Sequence, residues 1–162
     1  MKVTKVKSQQ PKNKMKQLFL IFSVFVLAFG MSSCGSGSYD LDKCKALQEK
    51  VDNGDELTQD DYAEMIQQAR GLNAFLDTRV SKMENMDLDE ITEYIQESAK
   101  MDEGKYAMTF DSTLKSAAAM DELNEDNKKA YDEYESELDK YKEHGIEVGK
   151  KLTDKALEAV TE

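Results

Sequence analysis

The sequence predicts an all-α protein: an antiparallel bundle of three long helices with a short N-terminal helix in front, over residues 40–162. Three observations carry this expectation. The single proline, Pro11, leaves everything after it free of the residue that most often breaks helices. No run of β-branched residues alternates with period two, as a half-buried strand would. Apolar residues recur instead at spacings of three, four and seven.

The first, short helix fits Asp40 to Asp52, where Leu41, Cys44, Leu47 and Val51 share one face. Asn53-Gly54 then supplies the left-handed backbone that stops a helix. A second helix starts at Thr58, which caps with Asp61 in a capping box, while Leu57 staples to Tyr62. Tyr62, Ala69, Leu76 and Met83 repeat at seven, with Met65, Ile66, Leu72 and Val80 between them, which makes a bundle-facing seam. The same start signal recurs at Asp87, with Glu90 completing the box and Met86 stapling to Ile91. One long third helix is expected from there, its face made by Leu88, Ile91, Ile95, Ala99, Tyr106, Phe110, Leu114 and Ala117, with Gly104 as the place for a kink or break. A last helix begins between Met120 and Asn124 and repeats Tyr131, Leu138, Gly145, Leu152 and Ala159, interleaved with Tyr134, Tyr141 and Val148. Its weak point is His144-Gly145, because a helix glycine costs about 1 kcal/mol relative to alanine. No repeat of 20 to 50 residues occurs, only shared capping grammar.

Charge divides the chain sharply. Residues 1–33 carry six lysines (Lys2, Lys5, Lys7, Lys12, Lys14, Lys16) and no acid. The 22 basic residues less these six leave 16 against 33 acidic ones, a net charge of −17 from Cys34 onward. Such an acidic surface repels phosphate, so nucleic acid is excluded as a partner.

A cationic start, the apolar run LFLIFSVFVLAF from Leu18 to Phe29, and small residues at Gly30, Ser32 and Ser33 have the form of a secretory signal. The run is shorter than the roughly 20 residues a permanent span needs. Met31-Ser32-Ser33-Cys34 resembles the bacterial lipobox, with Met31 where leucine is most frequent. That resemblance implies cleavage between Ser33 and Cys34 and makes Cys34 the lipid attachment site, its thiol alkylated by diacylglycerol and its freed amine acylated. Two or more chains give the stable anchoring that one does not. The expected organisation is a signal peptide at 1–33, a tether at 34–39 with the Gly-Ser composition of a flexible linker, and an acidic helical domain at 40–162. Gly35 is not acidic, which by the same resemblance implies delivery to the outer membrane, facing the periplasm. Surface display stays open without support from composition, since Gly35 to Ser38 are neutral and only Asp40 and Asp42 follow.

Catalytic and metal motifs fail on spacing. Aligning Gly54 with the sixth position of a Ca²⁺ loop puts Val51, which cannot ligate, at the third and the short Asp60 at the twelfth. The one histidine, His144, follows Tyr141 rather than a glutamate at the spacing a di-iron bundle needs. Zinc would need more than His144 and Cys44. No phosphate loop, G-x-S-x-G or HExxH occurs. Acidic pairs such as Asp60-Asp61 and Asp89-Glu90 stand at helix starts, where they offset the dipole. Cys44 reads as a small buried hydrophobe, with an intermolecular disulfide as its alternative. Tyr131, Tyr134 and Tyr141 read as core rather than as a ligand groove.

No catalytic residue, metal or cofactor is therefore expected. The stretch LTQDDYAEMIQQA resembles segments of small helical lipoproteins of unknown function from anaerobic gut bacteria, covers roughly the second helix, and implies no activity. Two functions compete: a non-enzymatic envelope lipoprotein acting as an interaction or structural module on a protein partner, and a lipoprotein that holds a small cationic or apolar ligand.

Overall fold

The computed structural model describes residues 38–161, and every regular element among them is an α-helix. In chain order these are α1 (Leu41–Asn53), α2 (Gln59–Met83), α3 (Leu88–Ser98), α4 (Asp102–Ala119) and α5 (Glu125–Thr161). The expected signal peptide, the cleavage position and Cys34 lie outside the described residues, as does the side chain of Ala159.

Local chemistry sets most boundaries. Asp40 caps α1, its Oδ1 accepting from the N–H groups of Asp42 at 2.9 Å and Lys43 at 3.2 Å. Gly54 ends that helix at φ 71°, with its N–H on the Val51 carbonyl and the Asp55 N–H on that of Lys50. This paired closure satisfies carbonyls the helix itself leaves open. Both predicted capping boxes form, Thr58 with Asp61 on α2 and Asp87 with Glu90 on α3. Asn124 caps α5, accepting from the Asn127 N–H at 2.8 Å. That helix runs without interruption through His144-Gly145.

The expected third helix is corrected: it is two helices, and the break is at 99–101, not at Gly104. Ser98 is buried where Ala99 was expected, and its hydroxyl donates to the Tyr94 carbonyl at 2.7 Å while accepting from the Arg79 guanidinium at 2.9 and 3.1 Å. A side chain bonded back to its own helix weakens the ladder there. The N–H groups of Lys100 and Met101 then close tight three-residue turns on Glu97 and Ser98. Gly104 falls in the first turn of α4, where backbone N–H groups have no helical partner in any case.

Contacts fix the relative directions of the helices. α1 runs opposite to α2, since Lys43 meets Glu64 and Lys50 meets Asp61. The chain turns back between α2 and α3 and again between α4 and α5, while α3 and α4 run in the same direction, so α2 and α5 are parallel, in one register along their length. Arg70 bonds Glu137, Asp77 bonds His144 and Glu84 bonds Lys151, each pair 67 residues apart and each seven residues beyond the last. Such pairs flank an apolar seam as the e and g positions of a coiled coil do.

Two apolar clusters fill the interior. The larger joins α1, α2, α4 and α5 through Leu47, Met65, Leu72, Phe110, Leu114 and Tyr134. A smaller one joins the end of α2 to α3 and to the later part of α5 through Val80, Met83, Ile91, Ile95, Val148 and Leu152. The helix break and the Asp77–His144 pair lie at the level where one gives way to the other.

Candidate functional site

The described chain begins at Ser38, four residues past the expected anchor, and it begins already packed. Ser38 and Tyr39 cross α2 at Gly71, the middle residue of that helix. A Cβ on Gly71 would lie 2.8 Å from the Tyr39 nitrogen and 2.9 Å from the Ser38 carbonyl carbon and oxygen. Only a residue without a side chain lets the two backbones approach so closely.

The crossing is fastened on each side. The Tyr39 ring tilts against Phe75 with centroids 5.3 Å apart, and its hydroxyl donates to Glu103 Oε1 at 3.1 Å. Burial, reinforced by the Glu103 charge, pushes the Tyr39 hydroxyl up to about 12, so it remains a donor at neutral pH. The Asp40 N–H donates to Gln68 Oε1 at 2.6 Å. Beyond Phe75, the Arg79 guanidinium lies 5.9 Å from that ring and 4.2 Å from the ring of Tyr94. A continuous stack thus links the start of the fold to α3.

Polar groups inside the bundle join helices. The Asn73 amide donates to the Tyr134 hydroxyl at 3.2 Å, and that hydroxyl is in turn bonded to Asp111, which draws α2, α5 and α4 together. Desolvation raises the Asp111 carboxyl and, still more, the Tyr134 hydroxyl. One turn along α2, Asp77 Oδ1 lies 2.5 Å from His144 Nδ1. Sequence reasoning had missed these partners, although the seven-residue spacing of Arg70, Asp77 and Glu84 was there to be read.

Ser33 and Cys34 lie outside the described residues, and the other candidate residues singled out from the sequence each have a place. Cys44 is a fully buried thiol that donates to Gln68 Oε1 at 3.7 Å. Desolvation, with Asp40, Glu103 and Glu64 nearby, pushes it up to about 11, which suppresses the reactive thiolate. Its bonding level at Gln68 is nine residues along α2 from that of His144 at Asp77, about 13 Å, so the thiol and the imidazole do not meet. Tyr131, Tyr134 and Tyr141 are all buried in the core. Asp61 and Glu90 cap helices, and Gly54 ends one rather than bending a metal loop. Among the described residues no group of three His, Cys, Asp or Glu side chains could hold a metal ion, and no helix is long and apolar enough to cross a membrane.

Exposed carboxylates line every helix, and one group of them shares an end of the bundle. Gln59 at the start of α2 donates to the Glu122 carbonyl at 2.8 Å and accepts from the Asn124 N–H at 2.9 Å, while the Asn127 amide bonds back to Gln59. These bonds draw the turn before α2 against the turn before α5. Asp55, Glu56, Asp60, Asp121, Glu125 and Asp126 are exposed on the resulting tip. Lys128 offsets one of them, bonding Asp121 at 2.6 Å. A scan against protein-family models, a search of curated proteins and a search of solved structures each gave no match.

Proposed function

We propose that this chain is a lipid-anchored lipoprotein of the bacterial cell envelope, held through Cys34 at the outer membrane and facing the periplasm. Its helical domain acts as a non-enzymatic interaction module for a protein partner in the envelope. The bundle is read as up-down-up, with α1 in front and with α3 and α4 sharing the middle leg.

The observation that carries the interaction reading is the acidic tip. Two turns more than sixty residues apart are stitched together by Gln59, and the joint presents carboxylates outward. Pairs such as Asp60-Asp61 offset helix dipoles, but the exposed surplus creates a negative field at one end of an elongated molecule. Such a field steers a basic protein surface into contact and fixes its orientation more than it adds affinity.

Two measurements test this. Cells fed a radioactive fatty acid should label the wild-type protein and not Cys34→Ala; an unlabelled wild type ends the lipoprotein reading. A photo-cross-linker placed at Glu125 should capture specific, salt-sensitive partners in intact envelopes. Neutralising the tip with Asp55→Asn, Glu56→Gln and Asp126→Asn should remove those products. Unchanged products would refute the role given to the tip.

A further inference from the structure

We infer that the helical domain lies along the membrane, with the side bearing Ser38 and the start of α1 toward the lipid, rather than standing on its end. The inference rests on the lipid anchor at Cys34 proposed above, and on where the fold takes up the chain. Ser38 and Tyr39 are seated at the midpoint of α2, pressed onto Gly71 and fastened by Phe75, Glu103 and Gln68. The leash therefore leaves the bundle at its flank, half-way along α2, and not from a tip.

The leash is also short. Four residue steps separate Cys34 from Ser38, which at full extension reach about 14 Å. Either end of α2 lies about 18 Å from Gly71 at 1.5 Å per residue. Beyond Lys151, which meets Glu84 just past the end of α2, α5 continues to Thr161 for about 15 Å more. With that end downward, the anchor would have to bridge about 33 Å, more than twice its reach. With the other end downward, the tip carrying Asp55, Glu56 and Glu125 would be driven several ångströms into the headgroups. Ionised carboxylates resist that desolvation, and anionic lipids repel them.

Laid on its flank, the domain stays within the reach of the leash and keeps the acidic tip out of the headgroups, although α1 also exposes Asp42 and Glu49. Leu41, three residues from Ser38 in the first turn of α1, is 48% exposed, and in this orientation it meets the lipid boundary. Lys45, exposed one turn further on the same face, reaches headgroup phosphates. The partner this flank fits is the bilayer that holds the protein's own acyl chains, which leaves the acidic tip free at the side.

The test uses the full acylated protein in supported bilayers of phosphatidylethanolamine and phosphatidylglycerol. Polarised infrared dichroism of the amide band reports the mean helix tilt, and the helices should lie nearer the membrane plane than its normal. Inserting about twelve Gly-Ser residues between Gly37 and Ser38 multiplies the reach about fourfold and should bring the dichroism toward its isotropic value. Helices along the normal would overturn the inference, as would a lengthened protein with the wild-type dichroism. Mass spectrometry of the same film separates the two failures. Protein that lacks acyl mass on Cys34 and washes away removes the anchor and the inference with it, whereas an acylated, retained film with upright helices removes the orientation alone.

Discussion

Gly71→Ala sets two effects of opposite sign against each other. In an unconstrained helix interior, alanine in place of glycine stabilises by about 1 kcal/mol. Here the new Cβ would stand 2.8 to 2.9 Å from backbone atoms of Ser38 and Tyr39, which cannot rotate aside as a side-chain tip would. Lifting the crossing loses the Tyr39–Phe75 ring contact, about 1 kcal/mol. It also loses the Asp40–Gln68 bond, about 1 kcal/mol, and the bond to Glu103, about 1.5 kcal/mol. That is roughly 3 to 4 kcal/mol against the alanine gain of about 1. Crowding tolerated in place costs about 1 to 3 kcal/mol, so after the alanine gain the expected net loss is about 0 to 2 kcal/mol in urea unfolding of residues 35–162. In a chain that starts at Asp40 the crowding atoms are gone, and the same substitution should instead stabilise by about 1 kcal/mol. Stabilisation in the longer chain, or an equal loss in both, would refute the seating of this segment on α2.

Acid should loosen α1 once the pH falls below about 4. The bond from Lys50 and the Thr58 N–H lower Asp61, while Gln68 and Lys43 lower Glu64. Carboxyls depressed in the fold contribute stability that is complete above their unfolded values, near pH 4, and lost as pH falls through the folded ones. Asp61→Asn should therefore flatten the acid limb of a stability-against-pH curve; an unchanged limb would count against these ties. Asp111 carries the opposite sign, since desolvation raises it and its ionised form opposes folding above the unfolded value. Asp111→Asn should leave the neutral-pH urea midpoint unchanged or higher, and a large fall would show that the charge itself is needed. His144→Ala leaves the buried Asp77 carboxylate without its partner and should cost about 2 kcal/mol. Asp77→Leu with His144→Leu should recover most of that loss, and equal losses in the single and double variants would refute the pairing.

Local grammar was legible and long-range bonding was not. Thr58 with Asp61, Asp87 with Glu90, and Gly54 each act within a few residues, so the helix ends they mark could be read directly. The break between α3 and α4 has no such mark. Met101 caps α4 without a side-chain bond, and Ser98 leaves the expected helix through Arg79, nineteen residues away. Gly71 resembles any glycine inside a helix until the chain that crosses it is in place. Heptad apolar positions gave the seam but not its alignment, because Tyr62 to Met83 and Tyr131 to Leu152 repeat equally well at any shift of seven. Cys34, the one covalent site read from the sequence, falls outside the described residues, so its reading still rests on the lipobox resemblance.

That ambiguity gives the polar pairs along α2 and α5 a second meaning. Moving α5 by one heptad in one direction would keep the apolar seam but set Glu84 against Glu158; moving it the other way would set Asp77 against Glu137. The order of signs in Arg70, Asp77 and Glu84 is complementary to Glu137, His144 and Lys151 in only one of these three alignments. The charges then work as an error-detecting code, penalising each misthreaded bundle that the hydrophobic repeat alone would accept.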